Sequence, residues 1–118
     1  MLLFSLGVLK SPTVSDLTKE GYFDFTSQDT SVRLVNLYEH NCPACVSVEP
    51  VLDELSRMYY QEKRVKFGQV DCSMYSDLCD SLNHDTRPAW LVFLPQQSHH
   101  KMYNRNYEAQ TFVRWLRQ

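Results

Sequence analysis

The chain has 118 residues, a formal net charge of -2 and 43% hydrophobic residues. That length suits one domain able to bury a core. The near-neutral charge and scattered basic residues exclude the electrostatic footprint of a nucleic-acid-binding protein, and no apolar stretch approaches the ~20 residues a membrane-spanning helix needs.

The first nine residues, Met1–Leu9, are apolar but short. No Lys or Arg precedes them and no small-residue cleavage site follows. We read residues 1–13 as an N-terminal arm or the remnant of a leader, ahead of one domain over 14–118. No Asn-x-Ser/Thr sequon is present. Val14–Leu17 is expected to be a short first strand. Thr18–Phe25 reads as a short helix weakened by Gly21, with Tyr22, Phe23 and Phe25 in the core or lining a groove. Val32–Tyr38 is nearly all apolar, as in a central strand covered on both faces.

A loop, Glu39-His40-Asn41, then leads into Cys42-Pro43-Ala44-Cys45, where a helix is predicted to begin and to run to about Tyr60. Its apolar positions Val48, Val51, Leu52, Leu55, Met58 and Tyr59 follow helical spacing. Pro50, inside it, removes one backbone hydrogen bond and is expected to kink it. Cysteines at a helix start carry specific chemistry. The unpaired N–H groups and the positive end of the helix dipole stabilise a Cys42 thiolate. Cys45, one turn on, is positioned to attack a mixed disulfide formed at Cys42. The competing readings are a structural disulfide or half of a zinc site. Zinc requires a second pair of similar spacing, and Cys72 and Cys79, with six residues between them, supply it poorly.

Val65–Val70 is the next strand, and Ser73–Leu82 a short helix or turn-rich segment. Trp90–Leu94 and His100–Tyr103 are the last two strands, joined by a turn over Pro95–His99. The final helix, which Asn106 is placed to cap, presents Ala109, Phe112, Val113 and Leu116 inward. His40, His84, His99 and His100 read as surface residues, and Tyr59 and Tyr60 as core or groove wall. Strands alternating with helices and ending in a hairpin predict an α/β fold, with a central mixed sheet flanked by helices on both faces. The two close cysteine pairs favour an oxidising compartment.

These residues together resemble the thioredoxin fold, and within it the protein disulfide isomerase family, over roughly Val14–Gln118. The resemblance rests on the dithiol with Pro50 five residues later, on Val70-Asp71-Cys72 with Cys79 seven positions on, on Arg87-Pro88-Ala89, and on the ending from Tyr103 to Leu116. It implies a structural disulfide between Cys72 and Cys79, a cis-proline at Pro88 presenting backbone groups to an extended substrate strand, and Arg87 facing the dithiol. It further implies that no cofactor is required, since the dithiol is itself the redox centre. The partners implied are unfolded or cysteine-containing protein substrates and a redox partner protein or glutathione, in the endoplasmic reticulum lumen or another secretory compartment.

The sequence also departs from the family. Asn41 stands where an aromatic is common, and no histidine lies between the cysteines. Asn36 replaces the family's buried carboxylate, and Tyr107 stands where isomerases place an arginine, with Arg105 two residues earlier. Asn36 cannot accept a proton, so Cys45 is expected to deprotonate slowly unless water or His40 serves. Arg87 either lowers the Cys42 pKa or is a solvated surface arginine. The favoured function is thiol–disulfide exchange, with Cys42 as nucleophile and Cys45 as resolving thiol. The alternatives are a substrate-binding chaperone module of a larger protein with weak or vestigial redox activity, and a structural domain carrying two disulfides.

Overall fold

The computed structural model describes residues 11–27, 30–82 and 84–118; the apolar Met1–Leu9 segment lies outside them. The elements run β1 (Ser15–Asp16), α1 (Lys19–Thr26), β2 (Val32–Tyr38), α2 (Pro43–Met58), β3 (Val65–Asp71), α3 (Ser76–Ser81), β4 (Ala89–Phe93), β5 (His100–Met102) and α4 (Ala109–Leu116). Their order matches the sequence-based expectation. The sheet runs β1-β3-β2-β4-β5, with β1, β3 and β2 parallel and β4 and β5 antiparallel to their neighbours.

Alternation along β2 divides the core in two. Leu34 joins Val48, Leu52 and Leu55 of α2, Trp90 and Val92 of β4, and Phe112 of α4 on one face. Val35 and Leu37 join Tyr22 and Phe25 of α1, Leu78 of α3, and Leu91 and Phe93 on the other. The helices therefore cover both faces, which is why β2 reads as a continuous apolar run. One buried charge interrupts that run. Arg33 is 1% exposed and donates to the carbonyls of Ser31, Leu94 and Gln97 at 2.9, 2.8 and 3.3 Å and to that of Thr26. Its guanidinium also lies 5.5 Å from the Phe93 ring centre.

Gly68 in β3 meets a close approach. A β-carbon there would lie 2.7 Å from Leu17 Cδ1 and 3.3 Å from Phe25 Cζ. Thr18 caps α1 by accepting the Gly21 N–H at 2.9 Å.

Several local expectations are corrected. Phe23, Met58 and Tyr60 are 54%, 46% and 63% exposed. Tyr22 and Phe25 are the residues of α1 that are buried, while Met58 is the last residue of α2 and Tyr60 lies past its cap. Asn106 does not cap α4. Glu108 occupies the cap position without a side-chain bond, and the Asn106 main chain is instead engaged, its carbonyl accepting from the Glu108 N–H at 2.9 Å and from the Tyr103 hydroxyl. Pro50 lies inside α2, as the sequence led us to expect.

Candidate active site

Past the C-terminal end of the central strand β2, Asn41 turns the chain in the left-handed region at φ 59°. A short polar side chain tolerates that conformation better than a bulky one. Cys42 follows as the N-cap of α2 with extended backbone, and Pro43 opens the helix. The Cys42 Sγ accepts the Cys45 N–H at 3.1 Å, in the way a serine or aspartate caps a helix. No acidic residue lies in the first turn, so nothing there opposes a negative charge on that sulfur.

Cys42 and Cys45 are disulfide-bonded, with Cα atoms 5.2 Å apart. Their environments differ. Cys42 is partly exposed, whereas Cys45 is 3% exposed beneath it. A nucleophile needs access and a resolving thiol needs only its neighbour, so the asymmetry suits attack through Cys42. Cys72 and Cys79 are also disulfide-bonded, tying the end of β3 to α3, and both are buried in the core.

Two polar side-chain contacts hold the loop before the dithiol. The His40 Nε2 lies 2.8 Å from Asp71 Oδ2, and the His40 N–H donates to Ser73 Oγ at 3.2 Å. On the other side Glu39 Oε2 lies 3.2 Å from Arg87 Nε, close enough for charge pairing but without hydrogen-bond alignment. Neither pairing is legible in the sequence, because only the parallel β2–β3 register and the loop before β4 bring these partners together.

The Arg87–Pro88 peptide bond is cis, and the Arg87 carbonyl lies 3.8 Å from Cys42 Sγ. The Arg87 side chain is 13% exposed, so it is not a solvated surface arginine. Its guanidinium is spent on Glu39 and on the carbonyls of His84 and Thr86, and the carboxylate offsets much of its charge. Tyr107 donates from its hydroxyl to the Pro88 carbonyl at 3.2 Å, so it braces the proline from the α4 side. Arg105 is exposed and bonds Asn104 instead.

Asn36 lies on β2, directly opposite Trp90 on β4. It is 4% exposed and Trp90 fully buried; Asn36 Oδ1 and Trp90 Nε1 are both without a protein hydrogen-bond partner. An acceptor and a donor, each costly to bury alone, thus face the same layer between sheet and α2. His40 is remote from that layer in character. Its side chain is 59% exposed and held by Asp71.

His84 and His100 correct the expectation that the histidines are surface groups. Both are half-buried, with Nε2 atoms 2.9 Å apart. Among the described residues, no group of three or more His, Cys, Asp or Glu side chains is placed to hold a metal ion, and no helix is long and apolar enough to cross a membrane.

Comparison with known proteins yields a consistent result. A family model described as Thioredoxin matches residues 13–118. Human DnaJ homolog subfamily C member 10 is 28% identical over 111 residues, which is 94% of this chain and 14% of that protein. A protein disulfide-isomerase of Schizosaccharomyces pombe is 22% identical over 115 residues, covering 98% of this chain and 31% of its own length. Among solved structures, full-length ERdj5 superposes with a TM-score of 0.79 at 22% identity over 88% of this chain and 16% of that one. Human ERp44 superposes with a TM-score of 0.82 at 21% identity over 94% of this chain and 30% of that one. The chain thus spans about a seventh of the length of the first curated relatives it matches.

Proposed function

The chain belongs to the thioredoxin family, and from that premise we propose that it performs thiol–disulfide exchange on cysteine-containing proteins in a secretory compartment, as one domain of a larger protein. The observation that carries this reading is the capping of α2 by Cys42. Its sulfur takes the Cys45 N–H at 3.1 Å and stands half-open beside the Arg87 carbonyl, while Cys45 is buried one turn below.

In the reducing direction, the Cys42 thiolate attacks a substrate disulfide. A Cys42–substrate disulfide forms and one substrate thiolate leaves. Cys45 loses its proton, attacks the Cys42 sulfur and releases the second substrate thiolate. The domain ends as the Cys42–Cys45 disulfide, oxidised by two electrons, and the substrate is reduced by two. Oxidation of a substrate dithiol is the reverse. The helix N–H groups stabilise the Cys42 thiolate. The Arg87–Glu39 pair sets the position of the loop beside that sulfur, and Pro88, braced by Tyr107, presents its neighbours to an extended chain. The dithiol supplies the redox centre, and glutathione or a partner protein resets it. The second disulfide, Cys72–Cys79, serves as a staple, and a chain with two disulfides fits an oxidising lumen.

Equilibration with glutathione buffers followed by mass spectrometry tests the reading. A Cys42–Cys45 potential near about -180 mV marks an oxidase or isomerase, and one near about -270 mV a reductase. A pair that does not equilibrate refutes exchange. It would instead favour a substrate-binding module, the reading supported by Asn36 at the place of the family's buried carboxylate.

A further inference from the structure

We propose that the paired imidazoles of His84 and His100 form an acid-sensitive latch that ties the segment carrying Arg87 and Pro88 to the sheet and lets it go when both rings are protonated. The latch regulates the substrate-facing side of the site proposed above, and rests on that reading only for what it controls.

The geometry sets the latch across two elements distant in sequence. His100 begins β5, opposite Phe93 of β4, and its ring packs edge-on against the Phe93 ring at 5.4 Å. His84 lies in the segment between α3 and β4. Its Nε2 meets His100 Nε2 at 2.9 Å, and the two rings cross at 68°. From His84 the contacts run to the dithiol. The His84 carbonyl accepts from Arg87 Nη1, the Arg87 Nε pairs with Glu39 of the loop before Cys42, and the Arg87 carbonyl lies 3.8 Å from the Cys42 sulfur.

Proton counting gives the switch its direction. In the neutral pair one Nε2 carries the hydrogen and the other accepts it. A first proton enters at the Nδ1 of the donor ring and leaves the Nε2–H···Nε2 bond in place, now charge-assisted. A second proton must occupy the accepting Nε2. Both facing nitrogens then carry hydrogens, both rings are cations, and the contact cannot persist. The surrounding charges oppose that second proton. Arg33 lies over the Phe93 ring, Arg87 is bonded to the His84 carbonyl, and His99 and Lys101 flank His100 in the chain. The nearby carboxylate in sequence, Asp85, is exposed, and Tyr22, which touches Phe93, stays neutral with its pKa pushed up to about 12 by burial. Burial first, then His84 and His99, hold the His100 pKa below the ordinary histidine value. The second protonation is therefore disfavoured, so the latch stays shut at neutral pH and opens on acidification.

The test is a proton and nitrogen NMR titration of the oxidised domain from pH 7.5 downward, following the histidine Cε1–H signals, the amides of residues 84–87 and the Arg87 side chain. Two histidine midpoints are expected for the pair, with the Arg87 and loop signals following the more acidic one. His100→Gln and, separately, His84→Gln should each abolish that loop titration while keeping a dispersed, folded spectrum. Loop signals that stay flat while the two histidines titrate would overturn the latch. So would a loop titration that survives in both variants. The readout uses no thiol chemistry. Failure of disulfide exchange at every pH with the loop titration intact would refute the exchange reading and uphold the latch.

Discussion

Asn36→Asp is the most informative single perturbation of the site. It restores a carboxyl at 4% exposure, opposite Trp90 and under α2. Burial without a counter-charge disfavours ionisation, and about 3 units of upward shift from ~3.9 is in the range seen for such sites. The sign follows directly. Below pH ~3.9 the carboxyl is neutral in both states and costs little. As pH rises the unfolded chain ionises first, so stability falls until the folded group ionises as well. At ~1.4 kcal/mol per unit, the variant should be about 4 kcal/mol less stable than the parent at pH 8 and nearly equal to it near pH 4. Urea unfolding of both oxidised proteins at the two pH values measures this. A buried carboxyl with a raised pKa is also a competent base, and position 36 is where the family resemblance puts a buried carboxylate. The mixed disulfide between Cys42 and glutathione should therefore resolve at least about tenfold faster in the variant, read by acid quenching and mass spectrometry. A stability gap that does not widen from pH 4 to pH 8 would refute the burial argument. A widened gap with unchanged resolution would refute the claim that proton transfer limits Cys45.

Other consequences are open to direct measurement. Joint replacement of Cys72 and Cys79 by alanine opens a loop with a sequence separation of 7; the chain-entropy relation predicts a loss of about 2.4 kcal/mol in chemical unfolding with no change in the Cys42–Cys45 potential, and a shifted potential would show that the second pair tunes the first. Arg33→Met strips the donors from the carbonyls of Thr26, Ser31, Leu94 and Gln97; a loss of ~3 kcal/mol is expected, and one under about 1 kcal/mol would mean that water replaces the guanidinium. Gly68→Ala forces its methyl against Leu17 and Phe25 and should cost about 1–3 kcal/mol, whereas a neutral result would show that Leu17 moves aside freely. Burial holds both Tyr22 and Tyr38 near a pKa of about 12, with Asp71, Asp16 and Glu49 adding to the shift at Tyr38. The stability these two groups contribute is present below pH ~10 and is lost as pH rises from there toward 12, so absorbance at 295 nm should show them ionising together with unfolding. Ionisation near pH 10 in a still-folded protein would contradict it.

The element order and the dithiol's position on a helix start are decided by local rules. Alternation and apolar runs mark β2 and β3, helical spacing of Val48, Leu52 and Leu55 marks α2, and a cysteine before Pro43 marks its cap. Each is a matter of neighbours within a few residues, so a linear chain displays it. Even there the fine detail escaped. Helical spacing placed Met58 inward and aromatic character placed Phe23 there, yet both are exposed, and Asn106, a good cap by type, is engaged through its main chain with Tyr103 and Glu108.

What surrounds the dithiol was decided only by the tertiary structure. Glu39 meets Arg87, His40 meets Asp71, Tyr107 meets Pro88 and His84 meets His100 across separations of 48, 31, 19 and 16 residues, taking each pair's difference in residue number. Asn36 and Trp90 share a face because β2 and β4 pair in one register, and a slip of a single residue would turn one of them to the opposite side of the sheet. Local sequence determines which way a segment wants to fold. Register and loop closure, driven by burial of the two apolar layers, determine which polar groups end up facing one another, and here those pairings set the surroundings of the Cys42 sulfur.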